Sequence, residues 1–177
     1  GVRPIVCADP HGALDPWPSS PDDMMASAPF RAGAAELARR DLVLDIWVFH
    51  HQLAQVTALA RALPDLTIVL DHLGTPLGMG WYADKRAEVF AAWRRDLAEL
   101  AACPNVVVKL GGLNMHFNGF GWHERPRPPS SDELVEANGA YYRVAIDLFG
   151  TGRCMFESNF PMDKRSIGWG PLWNAHK

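Results

Sequence analysis

Short apolar runs alternate along the chain with longer stretches in which apolar residues recur every three or four positions, a pattern that predicts strand and helix in turn. Residues 4–8, with Ile5 and Val6, read as a first strand ending in the turn-forming run Asp9, Pro10, His11, Gly12. A Pro- and Ser-rich loop over 14–28 leads to a helix capped by Ser27 or Ala28, with Pro29 at the permissive first position. Phe30, Ala34, Leu37 and Ala38 share one face of it, and Arg39 and Arg40 suit its carboxyl end. Residues 42–49 (LVLDIWVF) form the second strand, which ends in His50 and His51. A helix over 52–63 buries Leu53, Val56, Leu59, Ala60 and Leu63 and is closed by Pro64.

The third strand, TIVL at 67–70, is too short for a buried helix and apolar on both faces, as a parallel sheet flanked by helices requires. It runs into Asp71 and His72, and then Gly74 and Pro76 turn the chain away. By strand alternation only one of Asp71 and His72 can face the same side of the sheet. Asp84 can cap a third helix to about residue 102, with Phe90, Trp93, Leu97, Leu100 and Ala101 as its stripe. Residues 105–110 (NVVVKL) are the fourth strand, broken by Gly111 and Gly112. The stretch 114–129 holds His116, Trp122 and His123 and is long enough for an active-site loop. Ser130 and Glu133 form a capping box for a helix that carries Leu134, Tyr141, Ala145, Leu148 and Phe149 to Gly150. Residues 153–157 (RCMFE) are a fifth strand, and 169–175 read as a last helix, cut short.

Five strands separated by helices describe either a doubly wound sheet or most of a (β/α)8 barrel, in both of which the loops leaving the strands' carboxyl ends carry the chemistry. No GxGxxG follows a strand and no GxxxxGK[ST] occurs, which weakens a nucleotide-binding reading. Every strand exit carries a group that can bind a metal or move a proton: Asp9 and His11, His50 and His51, Asp71 and His72, Lys109 with Asn114 and His116, then Glu157, Ser158 and Asn159. His51 reads as a helix cap or surface residue. Lys109 follows three valines, so its ammonium needs a carboxylate partner or a polar axis to face. Ser158 lies outside any GxSxG and no HExxH occurs, so neither a nucleophile elbow nor a zincin site is supported.

At 177 residues, 48% hydrophobic and 21% charged, the chain is expected to form one globular domain over 1–177. Seventeen Lys and Arg against 20 Asp and Glu give a net charge of −3 with both signs scattered, so a small molecule is expected as partner, and neither nucleic acid nor a membrane. Cys7, Cys103 and Cys154 form no CxxC, which points to reduced thiols and a cytoplasmic setting. The chain starts at Gly1 without an initiator Met and enters an apolar stretch within a few residues, which reads as a fragment incomplete at the N-terminus and, from the curtailed last helix, at the C-terminus.

Three stretches in order, VLDHLGTP, PNVVVKLGGL and RCMFESNFPMDK, together with GVRPIVC and LVLDIWVFHHQL, resemble the amidohydrolase-related (amidohydrolase 2) family of metal-dependent hydrolases, in its lactonase-like branch. The resemblance implies a (β/α)8 barrel, here about its last five βα units, and hydrolysis of a small cyclic ester (lactone) or amide by water. It places His72, Lys109 and Asn159 in the catalytic set, His72 and Asn159 as metal ligands, and His50, His51, Gly111, Asn114 and Ser158 at the substrate. Zinc or manganese, or no metal, fits the resemblance, and a homo-oligomer stays open. Two departures stand out. The family's His-x-His is absent, since none of the seven histidines lies two residues from another. Asn159 replaces the family's aspartate and cannot take a proton, leaving that task to Asp163, Glu157 or His72. A carboxy-lyase of the same family and a non-catalytic barrel remnant that binds a ligand or partner are the alternative readings.

Overall fold

The computed structural model describes residues 1–13 and 20–177, so the part of the loop expected over 14–28 that runs from 14 to 19 falls outside the described residues. Four parallel strands pair in sequence order: β1 (Leu44–Ile46), β2 (Ile68–Leu70), β3 (Val106–Leu110) and β4 (Cys154–Phe156). Helix α1 (Ala28–Arg39) precedes β1, α2 (Leu53–Ala62), α3 (Arg86–Ala101) and α4 (Ser131–Phe149) connect the strands, and α5 (Trp169–Ala175) follows β4. Ile46, Leu70, Val108 and Cys154 form one row across the sheet. The expected first strand is reduced to two parallel bridges, Val2 to Leu44 and Ile5 to Trp47. Pro4 between them has no N–H to add to a ladder. The strand expected over 42–49 pairs only as far as the three residues of β2 allow, and β4 only along Val108 to Leu110.

Alternation along β1 and β3 sorts the two faces of the sheet. Leu44, Ile46, Val106, Val108 and Leu110 are buried in one core with Leu53, Leu59, Trp93, Leu97, Tyr141 and Phe149 from the helices. Asp45, Val107 and Lys109 point the other way and are only half-buried. Helices on one face only, with strands in unbroken sequence order, make this a partial (β/α)8 barrel, since a doubly wound sheet needs a reversal of order and helices on both faces. In the helix-facing core Trp93 Nε1 donates to the Leu73 carbonyl at 2.7 Å.

The helix ends follow the local chemistry at two of three predicted caps. Ser27 Oγ accepts from Phe30 N at the start of α1, and at α4 Ser130 Oγ accepts from Glu133 N at 3.2 Å while Glu133 Oε2 accepts from Ser130 N at 2.8 Å. The cap expected from Asp84 is not formed, because α3 begins one residue too late for it, with Lys85 at the capping position and no side-chain bond. Ser130→Ala is expected to lower stability by about 1 kcal/mol, the usual cost of losing a cap, read as a shift of the urea midpoint at unchanged slope. No helix among the described residues is long and apolar enough to cross a membrane.

Candidate active site

The site begins where β2 ends. After Leu70 the backbone turns through four successive left-handed residues, His72 (φ 53°), Leu73 (φ 56°), Gly74 (φ 67°) and Thr75 (φ 37°). Three of these are not glycine, a conformation that costs on the order of 1–2 kcal/mol per residue and persists only where the surroundings enforce it. Leu73 is fully buried and its carbonyl is held by Trp93. The turn ends strand alternation, so Asp71 and His72 both reach the side away from the helix core, contrary to the expectation that only one could. Asp71 faces Lys109, and His72 swings across to the end of β4, where its Nδ1 lies 2.5 Å from Glu157 Oε1 and its backbone N–H donates to the same oxygen at 3.2 Å.

Gly111 and Gly112 make this meeting sterically feasible. A Cβ on Gly111 would strike Glu157, and one on Gly112, itself at φ 68°, would strike the His72 ring. Both glycines therefore hold the passage between β3 and the histidine–glutamate pair. With Nδ1 hydrogen-bonded to a carboxylate, His72 has Nε2 left for chemistry.

Asn159 leaves β4 in the left-handed conformation (φ 51°), and its Nδ2 donates to Asp163 Oδ1 at 2.9 Å. Asp163 is fully buried. Burial pushes its carboxyl up to about 7, against the opposing pull of the Asn159 amide and the His72 ring. The Asn114 amide also acts on it, yet Asn114 Nδ2 and Asp163 Oδ2 both lack a partner within hydrogen-bond geometry. Asn114 Oδ1 accepts from Asn138 Nδ2 at 2.9 Å. Ser158 Oγ accepts from Phe160 N at 3.2 Å and so shapes the turn that presents Asn159.

Lys109 has found two carboxylates. Its Nζ donates to Asp45 at 2.8 and 3.0 Å and to Asp71 Oδ1 at 2.7 Å, and Arg3 bridges the same two acids from the exposed side. Burial and the neighbouring Asp45 push Asp71 up to about 6. Asp45 is buried less and lies below its ordinary value, because Asp71 and Lys109 outweigh its burial. Burial opposes the Lys109 charge, and the two carboxylates more than restore it. The ammonium that the resemblance places in the catalytic set is thus engaged in holding two acids together.

His50 and His51 are not brought to this cluster: their described contacts are elsewhere. His50 is buried, accepts from Leu77 N at 3.4 Å and packs edge-on against Tyr82, and burial with His51 nearby lowers it to about 4. His51 Nε2 lies 2.9 Å from the Ala8 carbonyl, and the position capping α2 belongs to Gln52. Tyr82 closes this second group by donating to Asp9 Oδ1 at 2.7 Å.

Metal ligation by His72 and Asn159 would have to use His72 Nε2 and the Asn159 carbonyl oxygen, since the other polar atom of each side chain is engaged. Among the described residues no group of three or more His, Cys, Asp or Glu is arranged to hold an ion. Glu157 occupies His72 Nδ1, and the Asn159 amide gives its N–H to Asp163. The sequence reading missed Asp45, Arg3 and Asn138. Two carried a signal: Asp45 is an acid inside an apolar strand run, and Asn138 is an amide in the buried helical stripe with Leu134 and Tyr141.

A family model described as amidohydrolase matches residues 6–176. The chain is 36% identical over 135 residues to an L-fucono-1,5-lactonase of Burkholderia multivorans, covering 76% of this chain and 43% of that protein. A crystal structure of an amidohydrolase from Burkholderia multivorans with bound HEPES superposes with a TM-score of 0.74 at 30% identity, over 88% of this chain and 51% of the other. A second crystal form, with zinc bound, gives a TM-score of 0.73 over 88% and 50%. The chain spans a little under half the length of the curated relatives it matches.

Proposed function

Because the chain belongs to the amidohydrolase family, we propose that its protein hydrolyses a small cyclic ester, opening a lactone by attack of water on the carbonyl carbon. The observation that carries this reading is the meeting, at the strand ends, of a carboxylate-bound histidine (His72 with Glu157) and a buried acid poised near neutrality (Asp163 with Asn159). Two groups with separate protonation tasks are what general acid–base hydrolysis needs. The lactonase names carried by relatives at 32% and 36% identity support the ester over the amide.

Asp163 takes the proton from water as the water oxygen bonds to the carbonyl carbon. The ring C–O bond breaks, and His72, oriented by Glu157, gives a proton to the leaving oxygen. Asn159 cannot serve as base, but it fixes Asp163, which places a carboxylate four residues along from the neutral amide. Lys109 keeps Asp71 and Asp45 paired beneath the His72 turn.

The test is a pH-stat screen of sugar lactones on the whole protein, with carbon dioxide release followed in parallel. One equivalent of acid per lactone opened, without carbon dioxide, is expected, and His72→Gln is expected to lower the rate by about a hundredfold or more. Carbon dioxide without water uptake would establish the carboxy-lyase reading instead, and silence across the panel would favour the non-catalytic remnant.

A further inference from the structure

The turn that carries His72 is strained at three residues, and a strained backbone persists only while its neighbours hold it. Thr75 is the least expected of the three, because a β-branched side chain at positive φ (37°) is an outlier wherever it occurs. Inside the turn, Thr75 N donates to the His72 carbonyl at 2.9 Å. The mirror-image turn would make that same bond, so the hand must be enforced from outside.

Two tryptophans hold it, one from each face of the sheet. Trp93, fully buried on α3 in the helix-facing core, donates Nε1 to the Leu73 carbonyl at 2.7 Å. Trp47, one residue past β1 and on the same face as Asp45, donates Nε1 to Thr75 Oγ1 at 2.9 Å. Thr75 is fully buried, and between the two held residues a Cβ on Gly74 would strike Leu53 of α2. The indole of Trp47 is itself fixed, its ring packed against Phe49 and Phe117 at centroid distances of 6.1 and 6.2 Å. It also stands edge-on to the His72 ring at 6.3 Å. The direction of the His72 side chain follows from its backbone angles, so a turn relaxed to the ordinary right-handed region would aim the ring away from Glu157.

We infer that Trp47 is a positioning residue: by gripping Thr75 from the mouth side, against Trp93 on the core side, it keeps the turn left-handed and so sets where His72 Nε2 points. The proton-donating task of that nitrogen rests on the lactone-opening reading, and the grip rests on the hydrogen bond. Trp47 neither gives up nor takes a proton. Its whole effect passes through the backbone at 72–75.

Thr75→Val and Thr75→Ser, made in the whole protein, separate the bond from the packing. Valine keeps the branched shape and removes the oxygen that Trp47 grips, while serine keeps the oxygen and drops the methyl group. Each is measured for kcat, KM, melting temperature and the NMR resonance of the proton between His72 Nδ1 and Glu157. Thr75→Val is expected to lower kcat by about tenfold or more at unchanged KM and to displace that resonance, and Thr75→Ser to keep both close to wild type. Trp47→Phe removes the donor instead, and is expected to match Thr75→Val, with the double variant costing little more than either alone. Equal losses in the valine and serine variants, full kcat with an unmoved resonance, or a lowered melting temperature as the sole effect would overturn the inference. A wild type without turnover, or His72→Gln at the wild-type rate, sinks the lactone reading and leaves the resonance to decide the positioning. An inactive His72→Gln beside fully active Thr75→Val and Trp47→Phe sinks the inference alone.

Discussion

Asp163→Asn is expected to abolish the acidic limb of the pH–rate profile and to change the pH dependence of stability in the opposite sense. The carboxyl is fully buried and pushed up to about 7. As general base it works only when ionised, so the acidic limb of wild-type turnover rises with pH through about 7. An amide in its place removes the base and lowers the rate by about two to four orders of magnitude. Stability follows from linkage. An unfolded aspartate titrates near 3.9, so between that value and about 7 the native protein keeps a proton that the unfolded chain has released. Wild-type stability therefore falls as pH rises across this window and is flat above it. A shift of about three units corresponds at most to about 4 kcal/mol. The asparagine variant has no such slope and gains on the wild type at pH 8 while losing little at pH 4. Urea titrations at the two pH values, alongside the rate profile, decide this. Parallel stability curves for the two proteins would refute the buried acid.

Lys109→Met is the second large effect, and it falls on folding. Asp71 is fully buried and Asp45 partly so, and among the described residues the ammonium between them is their one inner cation, Arg3 being half exposed at the rim. Breaking a buried ion pair from one side leaves an uncompensated charge and costs about 3–5 kcal/mol. The loss depends on pH. Asp71 already titrates near 6 with Lys109 present, because burial and Asp45 raise it. Without the lysine it takes a proton more readily, so the penalty is large at pH 8 and shrinks at pH 5. Adding Asp71→Asn removes the orphaned charge and is expected to recover most of the loss at pH 8. Equal destabilisation at both pH values would show that Lys109 acts through its methylene packing instead.

Lys109 also shows where sequence reasoning stops. Three valines before a lysine say that the ammonium needs a partner, but not which one. Asp45 is 64 residues away and Asp71 is 38, and parallel register across two strands is what brings them together. His72 is a similar case. Its position at a strand end was legible from TIVLDH, whereas its approach to Glu157, 85 residues on, depends on a run of left-handed backbone that the preferences of Leu73 and Thr75 do not announce. The glycine pair 111–112 was legible as a break in β3, and its purpose only once Glu157 and His72 were seen filling the space a side chain would take.

By itself the sequence determined what local periodicity and capping chemistry control: the alternation of strands and helices, the buried stripe of each helix, the Ser27 and Ser130 caps, and a row of polar residues at the strand exits. Only the tertiary structure decided which of those polar residues meet. It set Lys109 against two acids, joined His72 to Glu157, moved His50 and His51 into a separate group with Tyr82, and tied Asn159 to Asp163. The physical reason is the range of the forces. Hydrophobic patterning is written in neighbours three or four residues apart, while the pairing of charges and amides follows strand register and backbone turns that bring together residues distant in the chain.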